Sequence, residues 1–394
     1  MKKSTLALAV AAALTGFGSV AHADTTLYGS ARVSVDYVDN DSTYTTDRRG
    51  NLTRIIPGFD TWDVVNNASR LGVKGEEDLG GGLSAIYQYE FGVDPTEGGN
   101  LNSNRPKWVG LKGASWGSVT LGTQWTPYYN VAGVGDIFNS SAHTFTAGTY
   151  LGNDFGIRMD NTVLYTSPNW SGFGFQAMLV VNGDASAADP TTPDELVTCV
   201  STNKLPCNVS DTVDMYQLNA TYKNGPFFVG AGYMALDGPG FGAFFNDPRF
   251  GGTDGDVKYT APTWDGDQFV LAFGYNAGPF AVSLNYENGD VNRLYLGDSD
   301  NIYLTGSYTF GNNIIRGLYG HISPDKGRVP VFRNGRQLDS SFDVIQDDID
   351  NWGLGYQYNF SKRTRVWAEY IGRSVDSDLI GDKSVLSIGT RHDF

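Results

Sequence analysis

A hydrolytic or metal centre in this chain would have to be built from His143, His321 or His392, and their surroundings supply neither. A nucleophile needs a positioned base, yet no G-x-S-x-G elbow accompanies these histidines, and the nearness of His321 to Ser323 has no mechanical meaning. Two Cys and four His leave no paired ligands for a metal. No reaction, metal or cofactor is therefore expected. The chemistry that remains is electrostatic, and it depends on which face of an element carries Arg32, Arg70, Lys74, Arg158, Arg365, Arg373 and Arg391.

The elements that would position them are strands. Apolar residues alternate with small or polar ones over segments of about ten residues, and no helical periodicity competes with that pattern. In 280–287, Phe280, Val282, Leu284 and Tyr286 share one face and Ala281, Ser283, Asn285 and Glu287 the other. In 352–361, Trp352, Leu354, Tyr356, Tyr358 and Phe360 oppose Gly353, Gly355, Gln357, Asn359 and Ser361. Short connections rich in Gly, Asn and Pro fall near 78–82, 115–117, 168–172, 224–226, 276–279, 311–313 and 361–363. Long ones fall near 36–68, 94–104, 126–157, 183–211, 237–265, 288–300, 324–350 and 376–382. Seven short turns alternating with eight long loops predict sixteen antiparallel strands.

Which face is which decides the class. In a soluble sandwich the apolar side chains would meet in a core, but here too many strands carry Gly, Ser, Thr, Asn, Gln or charge on the second face for that face to be plain solvent exposure. A closed, even-stranded transmembrane β-barrel, apolar toward lipid and polar toward water inside, accounts for both faces, and closure leaves no unpaired backbone edge in hydrocarbon. Tyr28, Trp108, Trp125, Tyr165, Tyr222, Tyr308, Trp352 and Phe360, near strand ends, suit interfacial girdles. Other classes are disfavoured. With 22 Phe and 22 Tyr the chain is too aromatic for disorder, and 28 Lys+Arg against 43 Asp+Glu cannot furnish a broad basic surface for nucleic acid. Beyond residue 23 no apolar run approaches the ~20 residues of a spanning helix.

Met1, Lys2 and Lys3, an apolar run from Leu6 to Leu14 and the small residues Ala21-His22-Ala23 before Asp24 read as a secretory signal peptide. Residues 1–23 are expected to be removed, leaving 24–394 as one barrel domain. Export brings the chain to an oxidising compartment, where Cys199 and Cys207 would either close a loop as a disulfide or remain free thiols.

The sequence resembles the Gram-negative general porins, the trimeric sixteen-stranded kind. The resemblance runs over essentially all of the mature chain. Its motifs are Thr26-Leu27-Tyr28-Gly29, the run from Ser69 to Gly80 (SRLGVKGEEDLG), Val109-Gly110-Leu111, Leu121-Gly122, the run from Asp160 to Pro168 (DNTVLYTSP), and the terminal Gly389-Thr390-Arg391-His392-Asp393-Phe394. It implies short periplasmic turns, long extracellular loops, a homotrimer, contact with outer-membrane lipid and lipopolysaccharide, and a C-terminal Phe394 read by the outer-membrane assembly machinery. It also implies a third loop folded into the barrel, which gives the loop-3 carboxylates Asp136 and Asp154 a place in a pore constriction opposite a basic wall. Thr123 departs from the pattern, standing where similar porins often carry Arg, so the wall is short of one expected member.

Alternation places Arg32, Arg70, Lys74 and Arg158 on the lumen face as candidates for that wall, with Arg365, Arg373 and Arg391 extending it or lining the vestibules. Arg70 and Lys74 could instead pair with Glu76 or Glu90. Most of the carboxylates that give the chain its net charge of −15 fall in the long loops, among them Asp39, Asp60, Asp63 and Asp350. An acidic mouth would concentrate cations, so a weak cation preference is expected; divalent-ion bridging to lipopolysaccharide and adaptation to saline water are rival uses. The expected function is passive diffusion of ions and small hydrophilic solutes across the outer membrane of a Gram-negative bacterium. A substrate-specific channel is the main alternative, and an adhesin or receptor role for the loops is compatible with either.

Overall fold

The computed structural model describes residues 23–46, 52–98, 101, 105–140, 158–181, 213, 215–236, 266–289, 299–324, 328–333, 336–343, 347–377 and 381–394. The barrel strands are β1 (Ala23–Asn40), β2 in two pieces (Phe59–Asn66 and Arg70–Gly80), β3 (Leu83–Gly92), β4 (Lys107–Gly113), β5 (Gly117–Trp125), β6 (Arg158–Thr166), β7 (Phe173–Val180) and β8 (Met215–Asn224). They continue with β9 (Phe227–Leu236), β10 (Gly266–Ala277), β11 (Phe280–Gly289), β12 (Ser299–Phe310), β13 (Asn313–Pro324), β14 (Ile349–Asn359), β15 (Thr364–Val375) and β16 (Lys383–Asp393). Each pairs antiparallel with its neighbour, and β1 pairs with β16, so the sheet closes on itself as a sixteen-stranded barrel. Two small hairpins, Thr43–Thr46 with Leu52–Ile56 and Arg328–Arg333 with Arg336–Asp343, lie in long loops. The seven short turns fall at the short connections read from the sequence, most of them at Gly, Asn or Pro, whereas the turn at 360–363 is Phe-Ser-Lys-Arg.

The seam is completed by the last residue, where the Gly29 N–H donates to the Phe394 carbonyl at 3.0 Å and the Phe394 N–H to the Gly29 carbonyl at 3.1 Å. Leu218, Leu271, Leu284, Leu304 and Leu354 are exposed on the outside of the barrel, while Gln217, Asn219, Asn285, Glu287, Gln357 and Glu369 are buried within it. That is the expected inversion of a soluble protein.

Three expectations need correction. The first long loop is much shorter than 36–68, because β1 runs to Asn40 and Phe59–Asn66 returns beside it. Asp39, Asp60 and Asp63 therefore lie in strands, as Asp350 does in β14. Their charge concealed an alternation that continues through exposed Val35, Trp62 and Val64. Tyr28, assigned to a girdle, faces the lumen, donating to Glu90 Oε2 at 3.0 Å and accepting from Gln88 Nε2 at 2.6 Å. Nor is the lumen polar throughout. Met178, Met215, Met234, Val270, Leu318 and Ile371 form a buried apolar cluster around Tyr128, Val131, Ala132 and Phe138 of the third loop. Burying each large apolar side chain there is worth about 1.5–3 kcal/mol, which gives the loop a reason to fold inward.

Candidate functional site

Loop 3 leaves β5 at Thr126 and turns at once into a short helix, α1 (Pro127–Ala132), followed by a 3-10 turn at Gly133–Gly135. The local sequence dictates that start. The Thr126 side chain caps the helix by accepting from the Tyr129 N–H at 3.1 Å, and Pro127 occupies the first helical position, where no N–H is needed.

One face of α1 is held against the inner wall of β8–β11. Gln217 Oε1 accepts from the Tyr128 N–H at 3.2 Å, Asn219 Nδ2 donates to the Pro127 carbonyl at 2.8 Å, and Asn285 Nδ2 donates to the Ala132 carbonyl at 2.5 Å. The Tyr128 hydroxyl donates to the buried Glu287 Oε2 at 2.7 Å and accepts from Gln268 Nε2 at 2.9 Å.

The loop then crosses to the opposite wall. Glu369 accepts from the Asn139 N–H at 2.8 Å, from Asn139 Nδ2 at 3.0 Å and from the Ser140 N–H at 2.8 Å. Arg316 pairs with Glu369 at 3.6 Å, donates to the Ile137 carbonyl and donates to Gln357 Oε1 at 2.6 Å. Residues 126–140 thus form a strap fixed at both ends. Alternation marks Arg316 and Glu369 as inward in the sequence, but only register and the path of the loop bring them together.

The basic wall faces this strap. Arg32 sits where β2 is interrupted: its N–H donates to Ser69 Oγ at 2.9 Å, its carbonyl accepts from the Asn67 N–H at 2.9 Å, and Ala68 takes a left-handed φ of 67°. Its guanidinium donates to the Phe138 carbonyl of loop 3 at 3.3 Å. Arg32 is also one end of a basic row across β15, β16 and β1, with Arg391 in the middle, since Arg365 lies opposite Arg391 and Arg391 opposite Arg32. Like charges placed directly opposite repel; Asp393 offsets this by accepting from Arg365 at 2.5 Å and from Arg391 at 2.7 Å. Arg70 lies 3.9 Å from Glu90, so one of the two expected pairings occurs, whereas Glu76 pairs with Lys112 at 3.0 Å. Lys74 Nζ stands 5.4 Å over the Tyr28 ring. Arg373 is elsewhere, in a polar hollow with Asp39, Asp41, Asp382 and Lys383.

Two groups at the site were not anticipated. Arg105, just before β4, is buried and donates to Glu90 Oε1 at 3.4 Å and to the Ala68 carbonyl at 3.1 Å. Burial, and then the charge of Arg158, press its guanidinium down to about 10, with Glu90 partly offsetting them; it stays charged at neutral pH. It lies outside the strands, so alternation gave no signal for it. Trp125 was placed in a girdle, but it stacks on Tyr129 with centroids 5.0 Å apart and an interplanar angle of 19°, and Arg158 lies 4.7 Å over its indole. A register shift between Gly122 and Gln124 breaks the alternation on which the girdle assignment rested.

Asp136 closes the arrangement. Its Oδ2 accepts from the Tyr129 hydroxyl at 3.0 Å. The residue is open to lumen water but crowded by wall and loop atoms, and that crowding raises its carboxyl above the usual range; the Tyr129 hydroxyl and the charge of Arg32 pull it back. Tyr129 is raised in turn, by burial first and then by the Asp136 charge, against the opposing influence of Arg158 and Arg32. Asp154, Cys199 and Cys207 lie outside the described residues. Among the described residues no group of three or more His, Cys, Asp or Glu could hold a metal ion.

Comparison with known proteins agrees with this architecture. The chain is 28% identical over 425 residues to an outer membrane porin protein of Bordetella pertussis, covering 100% of both chains. It is 28% identical over 351 residues to the major outer membrane protein P.IA of Neisseria meningitidis, covering 84% of each. Among solved structures, the anion-selective porin from Comamonas acidovorans matches with a TM-score of 0.60 at 19% identity, covering 95% of this chain and 100% of that one. The trimer form of OmpT from Vibrio cholerae matches with a TM-score of 0.61 at 17% identity, covering 94% and 99%. The family model for Gram-negative porins matches residues 7–374, and with the closed barrel it establishes that this chain belongs to the Gram-negative porin family, the channel proteins of the outer membrane.

Proposed function

We propose that the barrel is a general-diffusion pore whose constriction carries a transverse field, positive along Arg32, Arg70, Arg105 and Arg158 and negative at Asp136. The single observation behind this reading is the opposition of Asp136 on the loop-3 strap to Arg32 on the wall. Lys74, Arg365 and Arg391 would extend the positive side, and Asp154 is assigned to the loop side on family resemblance alone. In planar bilayers, R158Q and D136N should move the reversal potential in a salt gradient in opposite directions; no movement with either would end the reading.

The ion preference follows from which charges border the narrowest section. Within a Debye length of ~8 Å an ion there meets four arginines against Glu90 and Asp136, which favours a weak anion preference. The acidic loops favour the weak cation preference expected from composition. Chloride carrying more of the current than potassium would support control by the wall, and the reverse would support control by the mouth. General diffusion, as against a substrate-specific channel, predicts non-saturating flux of unrelated small solutes. The chain is expected to catalyse no reaction and to need no cofactor.

Maturation and assembly complete the proposal. Removal of residues 1–23, leaving the barrel domain 24–394, is proposed from the basic start, apolar run and small residues before Asp24, and N-terminal sequencing of outer-membrane material would test it. A homotrimer is supported by family membership and by the likeness to the trimer form of OmpT. Recognition of Phe394 by the assembly machinery, contact with lipopolysaccharide, a Cys199–Cys207 disulfide and ligand-binding roles for the loops are proposed on the same footing.

A further inference from the structure

We propose that Trp125 and Tyr129 determine selectivity by acting as an aromatic spacer that holds Arg158 and Asp136 apart, so that both charges stay in the permeation path instead of neutralising each other. The inference rests on the constriction proposed above and goes beyond it by naming two uncharged residues as the source of its field.

The geometry is a chain of contacts through four groups. The Arg158 guanidinium sits 4.7 Å over the Trp125 indole, the indole stacks 5.0 Å from the Tyr129 ring, and the Tyr129 hydroxyl donates to Asp136 at 3.0 Å. Two rings thus stand between the two contacts: Trp125 carries the guanidinium and Tyr129 holds the carboxylate. Each end has a reason to stay there. A guanidinium over an indole is attracted by the ring's negative face, and that attraction is of the same order as a water-exposed ion pair. A hydrogen bond to a charged carboxylate is stronger than one between neutral groups.

Helix α1 supplies the placement. Tyr128, Val131 and Ala132 bury one face against the wall, which turns Tyr129 toward the lumen. Gly133 leaves room for that ring, since a Cβ there would come within 3.0 Å of it. Trp125 and Tyr129 are both half-buried, so the spacer itself borders the water path. The charged group that faces Asp136 is Arg32 from β1, while Arg158 from β6 acts together with Arg32 on the Tyr129 hydroxyl that holds Asp136.

The test is the pH dependence of the reversal potential of the full-length folded chain in planar bilayers, with D136N identifying the midpoint that belongs to Asp136. With Trp125 in place, R158Q should leave that midpoint within about twofold in proton affinity; in a W125A background, where the guanidinium can reach the carboxylate, R158Q should raise proton affinity about tenfold, one pKa unit. Equal shifts in the two backgrounds would overturn the spacer. W125F, with a smaller ring, serves if W125A does not assemble, and should give an intermediate coupling; coupling no larger than with Trp125 in place would likewise count against the spacer. Y129F keeps the stack and loses the hydroxyl, so the midpoint should rise while its coupling to R158Q stays small; a large coupling in Y129F would also overturn it. If D136N and R158Q do not change the current at all, the constriction itself is wrong. Intact single effects with unchanged coupling sink only the spacer.

Discussion

From β16 through β6 the inner wall carries guanidinium and ammonium groups beside water, whereas from β7 to β12 it carries mainly amides and hydroxyls beneath loop 3. Desolvation explains the division. A charge covered by a loop loses its water and must be repaid by pairing, while an amide can hold a backbone carbonyl or N–H with no charge to bury. Charge therefore stays where solutes pass and neutral groups hold the strap. Exceptions sit where the strap is anchored most firmly, at Glu287 under Tyr128 and at the Arg316–Glu369 pair under Asn139 and Ser140.

The largest effect is expected at that second anchor. E369A would leave Arg316 and the Asn139 and Ser140 N–H groups buried without their partner, a loss of about 3–5 kcal/mol, read as a lower unfolding midpoint in detergent and a larger, noisier conductance as the strap lifts. Unchanged conductance would show that the strap does not set the opening. On the neutral half, N285A removes the donor to the Ala132 carbonyl and should cost about 1–3 kcal/mol of stability with no change in reversal potential. On the charged half the outcome should invert: R70Q should cost under ~1 kcal/mol and move the reversal potential toward potassium. If N285A shifted selectivity as much as R70Q, the division of labour would fail.

The smallest effect is a pH dependence. Because its carboxyl is raised above the ordinary value of 3.8, Asp136 loses its charge earlier on acidification than a free carboxylate, so the chloride share of the current should begin to rise above that pH. D136N should flatten the response. The linked stability has a definite sign. In the window between the ordinary and the raised value the folded chain binds more protons than the unfolded one, so the Asp136 contribution to stability decreases as pH rises through it.

Much of the barrel was legible because its physics is local. Strand alternation and Gly-, Asn- and Pro-rich turns depend on neighbours in sequence, and they placed every short turn and put Arg32, Arg70 and Lys74 on the lumen face. What escaped depends on register or on irregularity. Trp125 lies past a register shift, Arg105 lies outside any strand, and Asp60 and Asp63 were hidden because charge in an exposed strand looks like charge in a loop. The Glu369 latch joins residues 230 apart in sequence, a pairing that no local pattern can encode.

The most direct test of a water-filled barrel governed by its basic wall is the zero-current potential across a planar bilayer under a potassium chloride gradient. The account predicts a steady current through stable open channels and a potential of the sign set by chloride. A bilayer left impermeable, or a potential of the sign set by potassium that persists after the acidic loop residues are neutralised, would contradict it.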